Sequence, residues 1–163
     1  MNLDQKILDD FLQIMKDFVD SPEKELIRVS ALARSKTKGT GFKTKADFIK
    51  WWALTLKKQD GRCYYCNSRF ADLRQLITHK PSPLLGVRDL KGGAFRGANP
   101  EPDRLESRDQ RNIYSADNCV LACYYCNNDK SNVYTHEDYK TFIAPAKGRY
   151  IEHLMKQLKK ARP

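Results

Sequence analysis

Apolar residues recur at helical spacing along the first twenty positions. Leu3, Ile7, Leu8, Phe11, Leu12, Met15, Phe18 and Val19 fall on one stripe, which predicts an amphipathic helix over 2–20. Ser21-Pro22 closes it and opens a second helix, with Ser21 as N-cap and Pro22 in the first turn. Leu26, Val29, Ala31 and Leu32 carry that helix to about Arg34. The stretch SKTKGTGFKTK at 35–45 has few core residues and reads as a loop. Thr44 with Asp47 marks the start of a third helix over 45–58, with Phe48, Trp51, Trp52, Thr55 and Leu56 inward. The Trp pair is assigned to core packing rather than to base stacking.

The pattern then shortens. Residues 71–78 suit a short helix, whereas 79–102, with its Pro and Gly residues, suits a loop. Residues 102–106 and 118–122 have the length of short strands, and Cys123–Ser131 opens on a cysteine turn and runs into a helix. Thr135 and Asp138 form a capping box for a helix over 136–143. Ile151, Leu154, Met155 and Leu158 line a last helix over 149–161. The fold class is α+β, with a small core between helical additions. The expected division is a helical DNA-binding or dimerisation region at 1–60, a core at 61–144 and a C-terminal helix at 145–163.

Composition narrows the function. The 163 residues carry 30 Lys and Arg against 20 Asp and Glu, a net charge of +10 that points to a polyanion, most often nucleic acid. No run approaches the roughly 18 apolar residues of a membrane span, and the acidic start lacks the basic flank and apolar run of a signal peptide. The expected location is the cytoplasm. The charge is uneven: residues 101–140 hold 8 acidic and 5 basic residues within an otherwise basic chain. Wrapping a phosphate backbone gains nothing from such an island, whereas holding a cation beside a phosphate does.

Cys63, Cys66, Cys123 and Cys126 form two CYYC turns, leaving Cys119 over. In a reducing compartment, paired CxxC turns are the usual ligands of a tetrahedral structural zinc. The 56 residues between the pairs exceed a compact zinc ribbon, so the metal must staple distant segments around an insertion.

The segment EPDRLESRDQRNIYSADNCVLACYYCNNDKSN at 101–132 orders as strand, loop, strand, helix. Asp103-Arg104, a middle Asn118, then Asn127 with Lys130 three residues on, resembles the motif of the HNH (ββα-metal) nuclease family. It is closest to zinc-containing restriction members whose first motif reads Asp-Arg, and the likeness runs over roughly 42–132. Those members carry a further N-terminal zinc knuckle, in whose place this chain has helices.

The resemblance implies a ββα-metal core and a metal-dependent endonuclease acting on double-stranded DNA, of restriction type. A homodimer would cut both strands of a two-fold site. It also implies one divalent ion, Mg²⁺ or Mn²⁺, between Asp103 and Asn127, stabilising the leaving oxygen. Asn118 would pin the loop by hydrogen bonds. Arg104 stands where the family usually has a His. A guanidinium cannot act as a base, so Arg104 is expected to clamp the scissile phosphate. Tyr114 is the first candidate to activate water and His79 the second. Electrostatic DNA contacts are expected from Arg34, Lys36, Lys38, Lys43, Lys45, Lys91, Arg96 and Lys130. Phage nicking or homing enzymes and junction resolvases share the motif. The reading from another class is a non-catalytic zinc-containing DNA-binding module.

Overall fold

The computed structural model describes residues 4–36, 41–79, 97, 99–106 and 113–160. The expected DNA contacts Lys38, Lys91 and Arg96 lie outside them. The described chain is mostly helical with one two-stranded sheet. It forms two compact units, residues 1–61 with 104–120, and residues 62–103 with 121–163. The first strand, β1 (Glu101–Arg104), pairs with β2 (Cys119–Ala122), and the division between units falls within both. The loop 104–120 groups with the N-terminal helices and the C-terminal helix groups with the cysteine turns.

The first unit is built on three mutually packed helices, α1 (Gln5–Met15), α2 (Pro22–Lys36) and α3 (Lys45–Lys58). Phe11 and Met15 of α1, Val29 and Ala33 of α2, and Phe48, Trp52 and Leu56 of α3 are buried. The helix expected over 2–20 ends at Met15. Phe18 and Val19 lie in the turn beyond it, where Phe18 covers Gly61 so closely that a Cβ there would lie 2.7 Å from its ring. Gly61 follows α3 at φ +63°, a conformation that glycine adopts without steric cost.

In α2 the buried line is Glu25, Val29 and Ala33, four residues apart, while Ala31 faces solvent. Reading apolar letters alone misses Glu25. Its carboxylate accepts from Arg28 Nε at 2.8 Å and from Arg28 Nη2 at 2.6 Å, and the guanidinium lies 5.0 Å from the Trp52 ring. Pairing and stacking together make that burial affordable. The capping box at Thr44 and Asp47 forms as expected, and both tryptophans are buried.

The second unit carries the cysteine turns, α4 (Phe70–Thr78), α5 (Tyr124–Lys130) and a helical run from 136 to 160. That run corrects the expectation of separate helices at 136–143 and 149–161. Thr135 caps α6 (His136–Asp138), a π-helical stretch at Tyr139–Ile143 follows, and α7 (Ala144–Lys160) continues without a break. Pro145 and Gly148 look like breakers in sequence. Pro145 sits in the first turn of α7, where its missing N–H costs little. Gly148 is required by packing, because a Cβ there would strike the Cys66 carbonyl. Among the described residues no helix is long and apolar enough to cross a membrane.

Candidate metal centre and carboxylate cluster

The first cysteine turn is a tight hairpin. Arg62 and Arg69 form an antiparallel bridge, Cys63 N–H donates to the Ser68 carbonyl at 2.9 Å and Asn67 N–H to the Cys63 carbonyl at 3.0 Å. Asn67 turns the corner at φ 59°. Tyr64 N–H donates to the Leu121 carbonyl of β2 at 3.0 Å, which seats this hairpin beside the second turn. Cys123 is the N-cap of α5, and Cys126 lies in the helix.

All four sulfurs are buried and lie within 4.8 Å of one another; Cys119, on β2, is not among them. Cys66 and Cys123 sulfurs are 3.9 Å apart. A tetrahedron with Zn–S bonds of about 2.3 Å has edges of about 3.8 Å, so the donor set can hold a metal such as zinc. Cys123 N–H points at the Cys63 sulfur at 3.3 Å. Hydrogen bonds from Cys123, Cys126 and Cys63 hold the Cys66 thiol well below its ordinary range. Cys123 is raised by its bonds to Cys126, Cys63 and Cys66 and by burial. Cys126 is lowered by its bond with Cys123 but raised on balance by Cys63, Cys66 and burial. The four sulfurs form a site that a soft cation would complete.

Beside this cluster, β1 and α5 are joined by two polar ties. Lys130 Nζ lies 3.4 Å from Asp103 Oδ2, and Asn127 Nδ2 donates to Glu101 Oε2 at 2.8 Å. Glu101 and Asp103 are two apart in a strand and so share a face. Asn127 and Lys130 are three apart in a helix and so are neighbours. Asp103 is 7% exposed and Lys130 is fully buried, an arrangement that holds only because the charges pair. Tyr65, from inside the first CYYC turn, donates its hydroxyl to Asp103 Oδ2 at 2.6 Å. Burial first, and then the Asp103 carboxylate, push the Tyr65 phenol far above its usual range. It stays protonated and acts as a donor. With its Nδ2 turned to Glu101, Asn127 keeps Oδ1 as the atom able to meet a cation.

Two residues here escape a sequence reading. Glu101 went unread, although strand alternation puts it on the same face as Asp103. Tyr65 had no signal beyond its place in a cysteine turn. Lys130, expected as a DNA contact, is corrected to an interior ion-pair partner, because its ammonium is wholly withdrawn from solvent.

The remaining expected residues are placed as follows. In the first unit, the Arg104 guanidinium lies 4.8 Å from the Tyr114 ring centre. Asn118 clasps both ends of a loop: its Nδ2 donates to the Glu106 and Ile113 carbonyls at 3.3 and 3.1 Å, and its Oδ1 accepts from Glu106 N–H at 2.9 Å. Arg34 and Lys43 are exposed, Lys45 is half-buried in the first turn of α3, and Lys36 ends α2. In the second unit, His79 is half-buried and closes α4 through its backbone N–H to the Gln75 carbonyl. Among the described residues no hydrogen bond ties its ring to Asp103 or Asn127. No protein-family model, curated protein or solved structure matches this chain.

Proposed function

We propose that the chain is a metal-dependent DNA endonuclease of HNH type, with the four cysteines holding a structural zinc. The observation that carries this reading is the placing of Asn127 of α5 against the Glu101–Asp103 face of β1, through its bond to Glu101. A DNA-binding module has no use for an acidic cluster facing a helix that starts at a metal knuckle. Asp103 and Asn127 would hold one Mg²⁺ or Mn²⁺, which polarises the scissile phosphate and stabilises the departing 3′-oxygen. Asn118 keeps the intervening loop in shape, and Arg104 neutralises charge on the phosphate. Tyr114, stacked under Arg104, remains the first candidate to activate water. Tyr65 is excluded from that role because burial and the Asp103 carboxylate hold its phenol protonated, with its hydroxyl donated to Asp103.

The test is cleavage of a mixed double-stranded DNA library with Mg²⁺, with Mn²⁺ and with neither, using zinc-loaded protein. Discrete metal-dependent fragments are expected from the native chain and at least a hundredfold fewer from Asn127→Ala. Asn127 is the better probe because its partner Glu101 is only partly buried, whereas removing Asp103 strands a buried ammonium. Absence of cleavage in both metals would overturn the nuclease reading. The Lys130–Asp103 ion pair favours the second reading, a zinc-stapled binding module, since an Asp held that way can serve structure alone.

A further inference from the structure

The second unit has a cleft of about 550 Å³ where α7 crosses the first cysteine turn. Its floor includes Cys66 and Gly148, which meet closely, so the groove has a rigid base. Its rim is charged: Arg62, Arg69, Arg149, Lys156 and Lys159 line it against only Asp72 and Glu152. Glu152 is engaged by Lys156 at 2.7 Å. Arg69, Arg149 and Lys159 are exposed, and among the described residues no ion pair takes up their charge.

We propose that this cleft is a docking track for the phosphate backbone of duplex DNA, adjoining the Asp103 cluster through Tyr65, which lines the cleft and donates to Asp103. Arg149, Lys156 and Lys159 are spaced by seven and three along α7 and share one face. From Arg149 to Lys159 the helix rises about 15 Å, the axial length of roughly four phosphates of one strand. A lone phosphate or nucleotide would meet only one end of that row. None of these residues lies in the basic loop at 35–45 that the sequence singles out. The proposal rests on the reading of the chain as a DNA-acting protein and adds where a duplex runs.

The experiment measures fluorescence anisotropy of a labelled duplex of about 30 base pairs across a salt series, without Mg²⁺ or Mn²⁺. It compares the native zinc-loaded chain with the triple variant Arg69→Ala, Arg149→Ala, Lys159→Ala. Each lost phosphate contact removes about 0.9 from the slope of log affinity against log salt, so the triple variant should lose between 2 and 3. At about 0.1 M salt its affinity should fall roughly a hundredfold, with zinc content and melting unchanged. A triple variant with native slope and affinity would overturn the track. So would loss of inorganic phosphate binding with duplex binding intact, which would mark a small-anion site. A native chain that binds no duplex overturns the track and the DNA reading together. Binding with no cleavage in either metal leaves the track standing and removes the nuclease alone.

Discussion

Replacing Asp103 should unfold the second unit more readily than it disturbs any metal. The Lys130 ammonium is fully buried and sits 3.4 Å from the carboxylate that neutralises it. Removing one partner of a buried pair leaves a charge in low dielectric and costs about 3–5 kcal/mol. Loss of the charged Tyr65 acceptor adds about 1.5–3 kcal/mol. For a domain with about 5–15 kcal/mol in hand, Asp103→Ala should consume a large share. Lys130→Met is milder. It keeps the volume of the stem and leaves a carboxylate still bound by Tyr65, so about 1–3 kcal/mol is expected. The double variant strands no ammonium and should be more stable than Asp103→Ala alone. The coupling between the sites should be at least about 2 kcal/mol. Guanidinium unfolding at fixed excess zinc measures all four proteins. Trp51 and Trp52 fluorescence reports the first unit, and far-ultraviolet circular dichroism reports both. Strict additivity, or a cost below about 1 kcal/mol for Asp103→Ala, would refute the pair as a coupled buried charge.

Elemental analysis should find one zinc per chain, retained in Cys119→Ser and lost in Cys63→Ser, with helicity in the second unit falling on chelation. Because Cys123 and Cys126 are pushed up, metal uptake must expel protons; zinc affinity should fall as pH falls, measured by competition with a chromophoric chelator. Tyr65→Phe should cost about 1.5–3 kcal/mol in denaturant unfolding while keeping its zinc, since it deletes one bond to a charged acceptor. Gly148→Ala would normally help a helix, yet here it should destabilise by about 1–3 kcal/mol on thermal melting, because the added methyl meets the Cys66 carbonyl.

Periodicity read the helices well where the inward face is apolar. Phe48, Trp52 and Leu56 announced α3, and Ile151, Leu154 and Leu158 announced α7. It failed where a charged residue faces inward, as with Glu25, because the Trp52 ring that covers its local partner Arg28 is a tertiary feature. It also split one helical run in two at Pro145 and Gly148. Local breaking tendency was outweighed by packing on Cys66, a contact no window of sequence contains. The cysteine cluster was legible because CxxC spacing is local chemistry. Tyr65 was not, because its meaning comes from a carboxylate 38 residues away. The same gap hid the burial of Lys130: a lysine three residues past an asparagine reads as surface until the strand it faces is known.

The separation of the cysteine turns sets a schedule for the growing chain. Cys66 and Cys123 are 57 residues apart, so a ribosome adding about 5–20 residues per second leaves the first turn waiting several seconds for its partners. During that interval two thiols stand without the ligands that would close a four-sulfur site. The three N-terminal helices pack on one another within the first 58 residues, ahead of the second cysteine turn, and residues 104–120 join their unit later. Limited metal during synthesis should therefore yield chains with an ordered N-terminal helical layer and unjoined cysteine turns, a half-finished product open to oxidation.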